Sequence, residues 1–447
     1  MSEKVRAGWH FAGMTAVLAI VAGCGGSPAM RAAERGDWAA LRARIADAHR
    51  TGKLTNAEAT DLARKVARRE IATAPANRAV ARVRDVSGCA RELDGVLSSR
   101  MDVHDDAGAE AAWMRIDSGE LGLGSARSYT GDATDAWRAV GARGLSRKKD
   151  AQARLAAMGD GSPRVRRAAM RASADADPDD ATDAEVELLA TVARVDPEGI
   201  VRSDAVHALA SIGGEKVVAK LRDLWTNGDD GVREAIAVAW SSPRVYAHGG
   251  AEPLRLLVAA EHGPGAIEAA SAASRQEKVE PAIRSSSVAL LARTIVSGSR
   301  RDRLHAMSIA PLAEPDIVEA FRKAAKDGSG GSDREMEIAA QARLLGSAPD
   351  RAAAIQVLEV RAGEDTGRLA VNARTALANA GHLRIQAWIE RDLAAHDPWI
   401  RLQAAASLGA LGRAARGAPL LADADPEVRT RAACTLIMAS RIKSTNR

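Results

Sequence analysis

An all-α fold, a solenoid of stacked helix pairs, is what this 447-residue chain predicts, and three observations carry that reading. First, the phrase Asp425-Pro426-Glu427-Val428-Arg429, followed by Ala432, Thr435 and Leu436, recurs along the chain. It returns as Asp397-Pro398-Trp399-Ile400-Arg401 with Ala404 and Leu408, and as Ile200-Val201-Arg202 with Ala205 and Leu209. Asp can cap a helix, Pro fits its first position, and the apolar residues fall on one face. Second, only two Phe, two Tyr and eight Trp are present in an Ala-rich chain that is 46% hydrophobic. Closely packed helices use such a composition, a β-sandwich does not, and wholesale disorder is excluded. Third, a second helical segment lies between successive copies of the phrase.

The chain opens with Lys4 and Arg6, followed by an apolar run from Phe11 to Ala22. That run is shorter than the ~20 residues a membrane-spanning helix needs and suits a secretory signal. Its close, Val21-Ala22-Gly23-Cys24, resembles the lipobox of bacterial lipoproteins, with Val21 where Leu is commoner. The resemblance implies a signal peptide over 1–23, cleavage before Cys24, and a lipid on that cysteine. Gly25 after the cysteine, rather than an acidic residue, implies the outer membrane, with the folded body facing the periplasm. Gly25-Gly26-Ser27-Pro28 reads as a leash between lipid and body.

Residues 24–104 read as this attachment point, the leash and an N-terminal helical region. One helix is expected over 29–50, with Trp38, Leu41 and Ile45 on its face. A second is expected from Asn56 to Ile71, with Thr55 and Glu58 as capping box. Arg64, Lys65, Arg68 and Arg69 form a basic stripe on it, which reads as a solvated face rather than a lipid-binding one. Less regular helix follows from 76 to 104. Gly119-Glu120-Leu121-Gly122-Leu123-Gly124-Ser125 lacks the Lys and the spacing of a phosphate loop and reads as an inter-helix loop.

Residues 105–440 read as the repeat array, with a polar tail at 441–447. The template is an aliphatic residue, Arg, then small residues three and six positions on, and Leu. Copies begin at Trp137-Arg138, Val165-Arg166, Val201-Arg202, Val232-Arg233, Ile400-Arg401 and Val428-Arg429, with weaker ones near 267, 304, 336 and 369. Steps of 28 to 38 residues mark a helical solenoid. Second helices are expected at Asp183 to Arg194, Glu215 to Trp225, Pro253 to Ala260, Pro281 to Val296, Pro315 to Ala325, Arg351 to Arg361 and Leu383 to Ala394. Gly228, Gly298, Gly328, Gly363 and Gly381 are the expected stops. Arg441 and the polar residues after it would cap the array.

These repeats resemble the HEAT repeat family, in particular the short Ala-rich form grouped with bilin-lyase-type repeats. The carriers are Asp196-Pro197, Asp397-Pro398 and Asp425-Pro426 with Arg202, Arg401 and Arg429. The resemblance implies a ladder in which Asp and Arg tie neighbouring repeats. Arg138, Arg166 and Arg233 can join it, whereas His305, Glu337 and Ala370 occupy the Arg slot and cannot. The repeats over 265–380 are the degenerate ones.

Chemistry is sparse. The nine His are scattered, and Glu261-His262 is a single reversed pair. Asp175, Asp177, Asp179, Asp180 and Asp183 begin like a calcium loop, but Asp180 replaces its Gly and Val186 its closing Glu. Cys24, Cys89 and Cys434 have no metal-ligand spacing, and the last two read as small buried apolar residues. No catalytic residue, metal site or cofactor is expected. The net charge of +5, or +4 without residues 1–23, argues against nucleic acid. Trp399 is the best candidate for an exposed anchor, with Trp240 and Trp388 in the core. The function expected is a membrane-anchored, non-catalytic scaffold that binds other proteins; a HEAT-like lyase, isomerase or ligand-sheltering protein is the alternative. Which residues meet a partner is not written in the repeats.

Overall fold

The computed structural model describes residues 27–260, 263–329, 333–364 and 367–442. The proposed signal sequence and lipidation residue Cys24, the Glu261-His262 pair, and residues 443–447 lie outside the described residues. The fold is all-α, and among the described residues there is no strand. No helix among them is long and apolar enough to cross a membrane.

The first four helices are α1 (Pro28–Arg35), α2 (Trp38–Arg50), α3 (Asn56–Ala72) and α4 (Ala76–Arg84). The single helix expected over 29–50 is two. Gly36 closes α1 at φ 72°, where only glycine is free of strain, and Asp37 caps α2 by accepting from the Ala40 amide at 3.0 Å. The Thr55–Glu58 capping box at the start of α3 is present in both directions. Residues 87–93 form a 3₁₀ helix and Asp94–Met101 a short α-helix.

Two layers of helices follow. One layer holds the template phrase: α6 (Asp135–Arg143), α8 (Pro163–Ala174), α10 (Gly199–Ile212), α12 (Asp230–Ala239), α14 (Ala266–Ser274), α16 (Arg300–Ile309), α18 (Arg334–Leu344) and α20 (Arg368–Asn379). Each packs on the next in that order. The other layer holds α7 (Ala151–Met158), α9 (Asp183–Val195), α11 (Glu215–Asn227), α13 (Ala251–Ala260), α15 (Pro281–Ser297), α17 (Pro315–Ser329) and α19 (Arg351–Glu364). Ahead of both lies α5 (Asp106–Asp117). The chain ends with α21 (Gln386–Asp392), α22 (Pro398–Ala410), a 3₁₀ stretch over 414–422, and α23 (Pro426–Ile442).

Some expected punctuation is different. The loop expected at 119–131 contains a short helix at Leu123–Ala126 and a 3₁₀ turn at Arg127–Gly131. Gly328 and Gly363 lie inside α17 and α19 rather than ending them. Gly328 serves approach: a Cβ there would stand 2.8 Å from the Glu337 backbone nitrogen of α18. Trp240 is buried as expected, whereas Trp388 is only half-buried, as is Trp399.

The chain divides into two compact units. Residues 97–385 make one, the layered array. The other is made from both ends of the chain, up to Val96 and from Gln386 onward. Within it α22 packs on α23, and α3 packs along α23 where the next helix of a row would stand. Leu62, Val66 and Ile71 of α3 and Val428, Leu436 and Ile437 of α23 are all at most 2% exposed. The last repeat helix, α23, is covered by the N-terminal helix α3; residues 443–447 of the polar tail expected as a cap lie outside the described residues. An apolar helix face needs apolar cover, and α3 supplies it.

The buried charges of the array are matched. Arg154 meets Glu185 at 2.8 Å with both side chains almost fully buried, and Ser173 donates to the same carboxylate at 2.7 Å. Asp150, fully buried, meets Arg127 at 2.8 Å.

Candidate functional site

The template arginine has a repeating geometry. Its Nη1 donates to two carbonyls of the loop before its own helix, six and five residues back. Arg138, Arg166, Arg202, Arg401 and Arg429 all do so. The rest of the guanidinium reaches the acidic residue of the following loop: Arg138 to Asp160 at 3.0 Å, Arg166 to Asp196 at 2.7 Å, Arg202 to Asp229 at 2.5 Å, and Arg401 to Asp423 at 2.9 Å. Such forked, charge-assisted pairs fix spacing as well as adding energy. The Asp160 carboxyl is held below its ordinary pKa, chiefly by the bond from Arg138.

The three Asp-Pro phrases prove to be two different devices. Asp160, Asp196 and Asp423 lie six residues before an arginine and take the inter-repeat bond. Asp397 and Asp425 lie four before it and cap their helices, accepting from the amides of Trp399 and Glu427 at 2.9 and 2.8 Å. Asp229 does both, accepting also from the Val232 amide at 3.0 Å. Arg233 departs from its expected role. It donates to the Trp225 carbonyl at 3.1 Å and meets Asp230 of its own helix at 3.4 Å. In the weak copies, His305 reaches back to Glu268 at 2.8 Å and Glu337 accepts from Arg361 at 2.7 Å. On this geometry Asp196→Ala should cost about 1–3 kcal/mol in urea denaturation, because Arg166 loses a nearly buried bidentate partner. Asp230→Ala, which removes an exposed pair, should cost under about 0.5 kcal/mol.

The last arginine has no following repeat. Arg429 turns instead to Glu70 of α3, at 2.7 Å from both Nε and Nη2, and its guanidinium lies 4.3 Å from the Trp38 ring centroid. Asn56 joins the same two segments, donating to the Gly412 carbonyl at 3.0 Å and accepting from the Ala415 amide at 2.8 Å. Arg441 pairs with Glu92. Cys89 and Cys434 form a disulfide with Cα atoms 5.5 Å apart, across 345 residues of sequence. Their burial is as expected and their pairing is not: tertiary structure brings together two cysteines that spacing leaves unrelated.

Beside this joint runs a groove of about 530 Å³. Its walls are the α1–α2 turn, the end of α3, α4 and the start of α23. Arg82 and Asp85, paired at 3.0 Å, lie on one wall. Burial pushes the Asp85 carboxyl up to about 6, against the opposing pull of Arg82, with Glu427 and Asp425 adding to the rise. A pKa raised in the folded state means the protonated form fits better. The stabilisation is complete below pH 4 and is lost as pH rises through about 6, a loss of about 1–3 kcal/mol after solvent screening. A carboxyl carbon-13 titration of Asp85 should have its midpoint near 6; a midpoint near 4 would contradict the burial argument.

A second groove of about 500 Å³ lies in the array, with Asn372, Thr375 and Asn379 of α20 on one side and Arg343 on the other. The expected acidic run is dispersed: Asp175, Asp179 and Asp180 meet Arg143, Arg244 and Lys148 at 2.6, 3.2 and 3.1 Å. Three histidines meet a single carboxylate each, His104–Asp132, His305–Glu268 and His382–Glu359, at 2.8, 2.8 and 2.5 Å. Among the described residues no three His, Cys, Asp or Glu gather as a metal site would require.

A family model described as HEAT repeats matches residues 135–240. The chain carries HEAT-like repeats. The matched stretch holds the rungs Arg138–Asp160, Arg166–Asp196 and Arg202–Asp229, where the HEAT-like phrase is most regular. No curated protein matches the chain. Among solved structures, an engineered protein from the Northeast Structural Genomics Consortium is 17% identical, with 85% of this chain and 98% of that chain covered, at a TM-score of 0.27. Kap121p bound to Nup53p is 10% identical, with 83% of this chain and 43% of that chain covered, at 0.24. Kap121p bound to the extreme C-terminus of the phosphatase Cdc14p is also 10% identical, with 80% and 42% covered, at 0.24. The chain thus spans less than half the length of Kap121p.

Proposed function

We propose that the protein is a lipid-anchored, non-catalytic scaffold whose HEAT-like array holds another protein, on the periplasmic side of an outer membrane. The observation that carries the binding role is the array itself. In its regular copies the arginine and its acceptor are consumed in joining neighbouring loops, and varied side chains on such a fixed frame suit recognition. Export is supported by the Cys89–Cys434 disulfide, since such bonds persist in oxidising compartments. The anchor rests on Val21-Ala22-Gly23-Cys24, with two or more acyl chains sufficient for stable attachment.

Cross-linking in intact cells, followed by purification and mass spectrometry, should return one reproducible partner at a fixed ratio. A clean monomer in every preparation would overturn the scaffold reading. The anchor has its own test: the membrane-extracted protein should have the mass of residues 24–447 plus acyl chains. An unmodified mass, or one retaining residues 1–23, would refute lipidation at Cys24.

A further inference from the structure

We propose that the groove between α3, α4 and α23 binds a phosphate-bearing group through Arg69 and Arg78. Four arginines line this groove: Arg69, Arg78, Arg82 and Arg429. Two are already neutralised by buried acids, Arg429 by Glu70 and Arg82 by Asp85. The acids of the facing wall are committed too. Asp425 accepts from the Glu427 amide as a helix cap, and Glu427 meets Arg431 at 3.1 Å. Arg69 and Arg78 are left without an ion-pair partner among the described residues. On the stripe that carries Arg69, Arg64 and Lys65 are paired with Asp61 and Glu34, and Arg68 is exposed outside the groove.

The placement of Arg69 is constrained. Its guanidinium lies over Gly36, where an added Cβ would stand 3.2 Å from Nε, so the glycine turn that opens α2 also makes room for this side chain. Two guanidinium groups without an ion-pair partner, in a partly enclosed groove whose four carboxylates each have a bonding partner already, offer a phosphate oxygen cluster several free N–H donors.

The charge of the surrounding unit points the same way. Residues 27–96 and 386–447 carry 23 Lys and Arg against 15 Asp and Glu, a net +8, whereas residues 97–385 carry 38 against 42, a net −4. The near-neutral total conceals this division. A field of that sign concentrates anions at the end-built unit and not at the array. The chemistry admits two sources, the headgroup of an anionic phospholipid or a free phosphate.

The test uses the full chain carrying Cys24→Ala, so that binding is read without an acyl anchor and a failed anchor cannot be confused with a failed site. Arg69→Ala/Arg78→Ala is compared with its parent, with Arg69→Lys/Arg78→Lys, and with Arg44→Ala/Arg413→Ala, which removes equal charge from the same unit outside the groove. Probes are vesicles of phosphatidylglycerol, vesicles of phosphatidylcholine alone, and inorganic phosphate followed by phosphorus-31 line broadening. The double Ala variant should bind its phosphate probe roughly tenfold or more weakly, with the Lys variant and the Arg44/Arg413 variant near the parent. Loss confined to phosphatidylglycerol vesicles assigns the group to a lipid headgroup, and loss of inorganic phosphate assigns it to a free ligand. Equal losses in the Arg44/Arg413 variant, unchanged binding in the double Ala variant, or no binding by the parent would each overturn the site. An unaltered helical circular dichroism spectrum and an intact Cys89–Cys434 bond verify folding.

Discussion

Arg429→Ala is expected to destabilise the end-built unit by about 3–5 kcal/mol, the usual result of stranding a buried partner charge. The Arg429 and Glu70 side chains are only 6% and 8% exposed. Truncation leaves the Glu70 carboxylate without its guanidinium, the Asp423 and Ala424 carbonyls without their donor, and Trp38 without its stacked cation. Glu70→Ala should cost a similar amount for the reciprocal reason. The double variant Arg429→Ala/Glu70→Ala should lose clearly less than the sum, because no buried charge is then unpaired. Urea unfolding followed by far-ultraviolet circular dichroism measures all three. Additive losses would mean that the two groups do not act as a pair, and that the capping of α23 by α3 rests on apolar contact alone.

The second large effect is expected from reduction of the disulfide. Cys89→Ser/Cys434→Ser should lower the stability of the same unit by about 2–5 kcal/mol, towards the upper end because the bond closes 345 residues of sequence. The loss falls on the end-built unit, since residues 97–385 contain neither cysteine. Melting with and without reductant should therefore move one transition and leave the other in place. Non-reducing peptide mapping should recover Cys89 and Cys434 in one linked fragment. Two freely alkylated thiols in the native, oxidised protein would refute the bond.

How much of this was legible in sequence depends on how local each feature is. The capping box of Thr55 and Glu58, the paired helices and the template arginines are written within a few residues of one another, so periodicity and capping rules reach them. The ladder was half legible. Its arginines stand out, but its acceptors are displaced by two residues between Asp196 and Asp425, and the Asp-Pro signature favours the capping residue over the bonding one. Counting six residues back from each arginine would have found Asp160, Asp196 and Asp423 together. The break at Gly36 was not read from the sequence, because a lone glycine within helical periodicity is compatible with a continuous helix.

The closure of the end-built unit was not legible. Glu70 is one acid on an ordinary amphipathic helix, and Cys89 and Cys434 are two isolated thiols, so nothing within a helix length of any of them names its partner. The groove with Arg69 and Arg78 depends on the same closure, since its facing wall is α23.

What the sequence by itself determined is the repeat: helix starts, small residues at the seam, and an arginine in each of the six regular copies, all set by capping, close packing and a period of about thirty residues. What only the tertiary structure decided is which helix covers α23 within the end-built unit. An exposed apolar helix face has no preference encoded in its own residues for which apolar surface buries it. Here the partner is α3, joined to α23 by apolar packing and one buried ion pair, with the Cys89–Cys434 disulfide fastening the same two ends of the chain.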